Sequence, residues 1–234
     1  MNWLHLTGNP VSWSVDSEKL VIESTQPFTI LSSAVFGSDQ PCCKRIINRH
    51  VDIDYEASDP EKEIRAWLTK QNQPLEETVV LLTAARVNQV CYRHVLETTF
   101  QLSVFVTAGT GNAARAGESY PVFWTAQKHI PGTINTVILV DGALTPAAMA
   151  GAIVTATEAK TAALQDLAVK EIHGKTATGT GTDAIVIAST QKKVGSYLHL
   201  YAGLSSPLGN ALGKEVYQAV KNAVIRGRNE GERG

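Results

Sequence analysis

The stretch KTATGTGTDAIVIAS, residues 175–189, decides how the chain is read. Thr178, Thr180 and Thr182 alternate with Gly179 and Gly181 as far as Asp183, and a short β-branched, apolar run follows at once. Such a run, entered from a glycine-rich loop, predicts a buried strand over 182–189. On its N-terminal side, Thr145-Pro146 supplies a capping hydroxyl and a proline suited to the first helical position. A long helix rich in Ala, Gly and Thr is therefore expected over 146–169, with most of its circumference buried. Before it, TINTVILVD (133–141) reads as another strand.

Further outward, VSWSV (11–15), KLVIES (19–24) and FTILSSA (28–34) read as short strands of an antiparallel meander. Residues 35–58 carry no clear period and are expected to be irregular. Asp59, Pro60, Glu61 and Glu63 mark a helix start, with Ile64, Trp67 and Leu68 as its apolar face. Strands are expected over 78–85, 89–97, 100–107 and 197–203. A last helix opens at Ser206-Pro207 and packs through Leu208, Leu212, Val216, Ala219 and Ala223, and the charged tail 226–234 is expected to fray. No fixed-period repeat or Pro/Ser-rich linker divides the chain. The expectation is one α+β domain over 1–234, a mostly antiparallel or mixed sheet packed with helices.

Composition narrows the function classes. The chain has 234 residues, 44% hydrophobic, with 21 basic against 22 acidic residues. Nothing here forms the basic stripe of a nucleic-acid binder, and no apolar run approaches the length of a membrane span. MNWLHLTGNP lacks the basic and apolar regions of a signal peptide, and Cys42, Cys43 and Cys91 form no CxxC pair. A cytoplasmic protein with no nucleic-acid or membrane partner is expected.

Several segments carry the residue types that chemistry needs. Glycines 179 and 181 permit positive φ and close backbone approach, successive amides can form an anion nest, and three hydroxyls add orientable donors. The alternative is a tight turn at a strand entrance. VTAGTGNAARAGE (106–118) imitates a dinucleotide fingerprint through Gly109, Gly111 and Ala114, but the long helix and the distant acid of that motif are missing. It reads better as a strand end opening a polar pocket, with Asn112 and Arg115 facing a ligand. On the long helix, Thr155, Glu158, Thr161 and Gln165 make a narrow polar stripe with Lys160 beside it. In INRHVDIDY (47–55), Asn48 and His50 share a face if extended, and His50 is suited to moving protons near neutrality. No GxSxG, HExxH or SxxK set is present.

Taken together, LSSA, INRHV, LLTAARV, VTAGTGNAARAGE, the block from PGTINTVILVDGALTPAAMAG through ALQDLAV, ATGTGTDAIVIAS and YAGLSSPLGNALGKEVYQAV resemble the adenosylcobinamide amidohydrolase (CbiZ-type) family over about residues 30–220. The resemblance implies hydrolysis of the amide between the aminopropanol arm and the corrin ring, giving adenosylcobyric acid and 1-amino-2-propanol. It implies a small-molecule corrinoid substrate and no cofactor or metal ligand set, leaves metal dependence open and admits a homo-oligomer. A non-catalytic corrinoid-binding or sensing protein is the alternative, and a nucleotide binder rests only on the two glycine-rich loops.

Two stretches depart from the family pattern: AVFGSDQPCC stands where a Gly-Gly pair often follows LSSA, and Ser205, Ser206 and Pro207 stand where a His and a Thr-Lys often follow YAG. His199 or His50 is then the substitute for that His. For the chemistry, Glu158 is the first candidate for general acid or base, on the expectation that it is partly buried. Asp183 is the second carboxylate, orienting His50 or a water. Asn48, Gly109, Gly111, Asn112, Arg115, Asn135, Lys160, Thr178, Gly179, Thr180, Gly181 and Thr182 are the expected substrate-binding residues. A covalent route through Thr178 or Thr180 stays open, with no activating base visible in the sequence.

Overall fold

The computed structural model describes residues 2–6, 9–120 and 132–231. Residues 121–131, between the second glycine-rich stretch and the strand expected at 133–141, and residues 232–234 of the tail lie outside them. The elements run β1 (Asn2–Leu6), β2 (Asn9–Val15), β3 (Lys19–Ser32), β4 (Cys42–His50), α1 (Pro60–Lys70), β5 (Thr78–Thr83), β6 (Cys91–Leu96) and β7 (Gln101–Ala108). They continue with β8 (Ala113–Ala114), β9 (Ile134–Asp141), β10 (Ala143–Leu144), α2 (Pro146–Asp166), β11 (Gly179–Thr180), β12 (Ala184–Ser189), β13 (Leu198–His199) and α3 (Pro207–Gly231).

The main sheet is mixed, in the order β1-β2-β3-β12-β9-β7-β6, with β4 on the other edge of β3 and β5 beyond it. The pairs β12–β9 and β4–β5 are parallel and the rest antiparallel. The fold is α+β, as expected. β9 is buried along its whole length, which requires cover on both faces. Ile138 and Val140 face α2 and α3, packing with Ala152, Ala156, Leu212 and Val216. Val137 and Leu139 point the other way, into a second core with Leu20, Ile22, Ile46 and Leu81. The sheet curls far enough for β4 and β5 to lie against β7 and β9 across that second core, as side-chain bonds from Asn48 to Thr107 and from Asn135 to Leu82 require.

Four expectations change. Residues 19–24 and 28–34 are not separate strands but halves of the long β3, whose register shifts between Glu23 and Phe28. Pro27 has no amide to continue the ladder, and Asn9 Oδ1 accepts instead from Ser24 Oγ (2.7 Å) and Gln26 N (3.1 Å). The interval 35–58 contains β4, whose apolar pattern is hidden by Lys44, Arg45 and Arg49; each is neutralised, by Glu77, Glu23 and Glu63 respectively. The strand expected at 197–203 shrinks to the two residues of β13. The tail does not fray at 226: α3 continues to Gly231, with Arg226 donating to the Val90 carbonyl and Arg228 to that of Leu167, both at 3.2 Å.

Helix α2 begins as its sequence predicts, Thr145 Oγ1 accepting from Ala148 N at 3.1 Å with Pro146 following. Its small residues let α3 and the 200–204 segment approach closely. It is less enclosed than expected, because Val154, Thr157 and Glu158 are exposed. Cys43 is buried, and that burial, with Cys42 beside it, pushes its thiol up to about 12, so it behaves as a core residue.

Candidate functional site

The two glycine-rich loops meet. β11 pairs antiparallel with β8, Gly179 opposite Ala114 and Thr180 opposite Ala113. Thr178 N donates to the Ala114 carbonyl (2.9 Å), its hydroxyl accepts from Ala116 N (2.9 Å), and Arg115 Nη1 donates to the Thr176 carbonyl (2.8 Å). Thr161 of α2 donates to the Thr178 carbonyl at 2.9 Å. Much of the polarity read as ligand-facing thus joins one loop to the other.

Asp183 is the centre of this junction. Its Oδ1 accepts from Thr180 Oγ1 (2.5 Å) and Ile134 N (3.0 Å); its Oδ2 accepts from Thr180 N (3.0 Å) and from the ammonium of Lys160. Both side chains of the ion pair are nearly buried. Four donors saturate the carboxylate, which makes Asp183 a fixed anchor for the loop. Gly179 is bare because a Cβ there would lie 2.6 Å from Asp183 Oδ2 and 2.9 Å from Lys160 Nζ. Gly181 is different: a Cβ would meet only Asn112 Nδ2, at 3.7 Å. Neither glycine has a positive φ, so the conformational reason expected for both is replaced by close approach at one of them.

From this junction the loops lead to a cleft of about 410 Å³ at the ends of β5 and β7, bounded by Ala85, Gly109, Thr110, Gly111, Gly132 and, from α3, Gly227 and Arg228. Thr182 Oγ1 donates to the Gly132 carbonyl (2.7 Å) and accepts from Asn112 Nδ2 (3.4 Å), tying the junction to the cleft rim. Gly132, with φ +150, is obligatory: a Cβ would stand 2.4 Å from Asn112 Oδ1, 2.8 Å from Asn112 N and 3.0 Å from Gly111 N. Its bare Cα therefore lets the backbone at 132 pack directly against the Gly111–Asn112 turn.

His50 stands behind the same cleft. It ends β4 opposite Thr83 of β5, and Thr83 Oγ1 accepts from Ala85 N at 3.0 Å, shaping the turn. That turn presents the Ala85 carbonyl 3.1 Å from His50 Nδ1. A carbonyl only accepts, so Nδ1 carries the proton and the neutral ring keeps its lone pair on Nε2. Two residues earlier on the same strand, Asn48 is buried. Its Nδ2 donates to Thr107 Oγ1 (2.8 Å), and its Oδ1 accepts from Asn135 Nδ2 (2.8 Å), which also donates to the Leu82 carbonyl (2.9 Å). Asn135 Oδ1 is a buried acceptor left without a donor among the described residues.

The structure so brings together the loop residues Asn112, Arg115, Lys160, Thr178, Gly179, Thr180, Gly181, Thr182 and Asp183, places Gly109 and Gly111 in the cleft wall, and sets Asn48, His50 and Asn135 beside it. Glu158 does not join them. It is exposed, on the wall of a separate groove between α2 and α3, so the burial on which its acid–base role rested is absent. His199 is buried, its Nε2 facing the Thr99 carbonyl at 3.3 Å and its ring against Phe100 and Tyr197, which is a packing role. Ser206 is the α3 cap, its hydroxyl accepting from Gly209 N at 3.1 Å. The sequence reading missed Thr83, Ala85, Thr107, Gly132 and Arg228; for Gly132 the signal was present, as a glycine following a proline at a strand entrance.

A model of the CbiZ, adenosylcobinamide amidohydrolase, family matches residues 7–232. An uncharacterized protein of Methanocaldococcus jannaschii, MJ1613, is 33% identical over 64% of this chain and 64% of its own length, so the match spans somewhat less than two thirds of that protein. A Methanosarcina mazei protein named adenosylcobinamide amidohydrolase is 29% identical over 93% of this chain and 100% of its own. Among solved structures, the PH0078 protein from Pyrococcus horikoshii OT3 is 12% identical with a TM-score of 0.44, covering 93% of this chain and 83% of that one. A Burkholderia sp. beta-aminopeptidase is 12% identical with a TM-score of 0.45, covering 91% and 78%.

Proposed function

This chain belongs to the adenosylcobinamide amidohydrolase (CbiZ) family, and from that premise we propose that it hydrolyses the amide between the aminopropanol arm of adenosylcobinamide and the corrin ring. The products are adenosylcobyric acid and 1-amino-2-propanol. The observation that carries the residue assignment is the His50–Ala85 hydrogen bond, which ties the ring through Nδ1 to a residue of the cleft wall and leaves Nε2 as the nitrogen with a lone pair.

Amide hydrolysis needs an activated water, polarisation of the carbonyl and a proton for the departing amine. In this reading His50 Nε2 takes a proton from water as its oxygen adds to the amide carbon. Backbone amides of the Thr110–Gly111 turn in the cleft wall receive the developing oxyanion. Collapse of the tetrahedral adduct breaks the C–N bond, and His50 returns the proton to the amine. Asn48 and Asn135 hold the strand that carries His50. Lys160, Asp183 and the Thr178–Thr182 loop hold the oxyanion-binding turn from the other side. The cleft accommodates the arm, and the ring stays at its mouth.

The test is incubation of the purified protein with adenosylcobinamide and mass detection of adenosylcobyric acid. Release of product that is lost in His50→Gln supports the reading; tight corrinoid binding without product would replace it with a binding protein.

A further inference from the structure

We propose that the α2–α3 groove and the 197–204 strap beside it form a twofold docking surface for a second copy of this chain. The proposal is independent of the hydrolytic chemistry. Along the strap, Tyr197, Leu198, Leu200, Tyr201 and Leu204 are all exposed, Tyr201 by 71%, and Val154, next in sequence to the Thr155 that bonds the strap, is exposed at 57%. A single exposed apolar residue needs no explanation; a run of them along one segment does.

These side chains are held in place. The strap is tied to α2 by Thr155 Oγ1 donating to the Ala202 carbonyl (2.7 Å) and Thr145 Oγ1 to that of Leu200 (3.0 Å), while Ala202 sits against Gly151. Presenting ordered apolar groups lowers the entropy lost on association. Leu204 also lines the adjoining groove, of about 560 Å³, and packs over Gly213, where a Cβ would stand 2.8 Å from its Cδ2; beside it Ala159 and Ala162 keep the α2 wall low enough to admit a large side chain.

Charge selects the occupant. Glu158 stands on the α2 wall of the groove and Lys214 on the α3 wall, both exposed, and neither has an ion pair among the described residues. A surface with one acid and one base beside an apolar patch is complementary to itself. About a twofold axis, Glu158 of each copy meets Lys214 of the other, and the aromatic strap of each enters the groove opposite. An acidic or a basic partner would leave one of the two charges facing its like.

Sedimentation velocity over a wide concentration range tests this. The expected result is a dimer whose dissociation constant rises about tenfold or more in Glu158→Lys, in Lys214→Glu and in Tyr201→Asp, while the double variant E158K/K214E recovers wild-type association. Melting temperatures of the single variants, whose side chains are exposed, check that each remains folded. A wild-type monomer at every soluble concentration overturns the proposal. So does a dimer indifferent to all three substitutions, or a monomeric protein in which Tyr201→Asp abolishes binding of cobinamide, since the strap would then be a ligand face.

Discussion

Lys160 of α2 and Asp183 at the entrance to β12 form a nearly buried ion pair directly over Gly179. The pair locks a helix, a glycine-rich loop and, through Ile134 N, the start of β9 into one junction. Removing one partner strands the other. Asp183→Asn leaves the ammonium buried and is expected to lower unfolding free energy by roughly 3–5 kcal/mol. Lys160→Met leaves the carboxylate with three remaining donors and should cost less, about 1–3 kcal/mol. Denaturant titration of both variants checks the order; equal, small losses would show that the pair contributes little.

The two glycines of the loop should part company. Gly179→Ala drives a methyl group against both members of the ion pair and is expected to destabilise by about 1–3 kcal/mol. Gly181→Ala meets only ordinary van der Waals distance and should stay within about 0.5 kcal/mol of wild type. Comparable losses in both would mean that the loop backbone, not the ion pair, sets the requirement.

His50→Gln keeps a side-chain donor for the Ala85 carbonyl and removes the basic nitrogen. Turnover of adenosylcobinamide is expected to fall about 10²–10⁴-fold with little change in melting temperature, the usual range for a general acid–base group. Undiminished turnover in a folded variant would exclude His50 as the base.

These expectations show where sequence was sufficient. The Asp59-Pro60 and Thr145-Pro146 starts and the apolar runs of β5, β7, β9 and β12 all follow from local chemistry, and all appear where local chemistry puts them, whereas the pairing of the two glycine-rich loops is non-local. β4 did not, because its three basic residues are neutralised by acids on β3, on α1 and just before β5, a pairing no local window contains. The site divided in the same way. Residue types in the loops were legible, but whether Asp183 faces substrate or a lysine depends on a helix turn some twenty residues away. Glu158 looked buried because α2 is apolar, whereas the neighbouring elements cover only one side of that helix.

His199 gives a pH dependence that is separate from catalysis. Burial lowers its pKa below the usual 6.5, with the Thr99 carbonyl opposing in the smaller sense. In the window just below pH 6.5 the unfolded chain therefore binds the proton and the folded chain does not. Stability is full above that window and declines as pH falls through it. In His199→Gln this part of the acid-side slope should flatten. Thermal unfolding between pH 7 and pH 5 checks the difference (about the range in which an ordinary His titrates); identical slopes would remove His199 as a contributor.

The last prediction concerns Asn48 and Asn135, which bridge β4 and β9 across the inner core. Each amide is also bonded outside the pair, Asn48 to Thr107 and Asn135 to Leu82, so truncating either leaves buried polar groups without partners. Asn48→Ala and Asn135→Ala are each expected to lower stability by about 1–3 kcal/mol. Their effects should not add, because the bond between them can be lost only once; a coupling of about 0.5–3 kcal/mol is expected in the double variant. The same network holds the strand that ends in His50. If it positions that ring, each single variant lowers kcat with little change in KM, since the cleft proposed to take the substrate is lined by other residues. If the network only joins two layers, stability falls and kcat per folded molecule stays at the wild-type value. Measuring folded fraction and kcat on the same preparations separates the two outcomes, and the second would confine Asn48 and Asn135 to holding the curled sheet together.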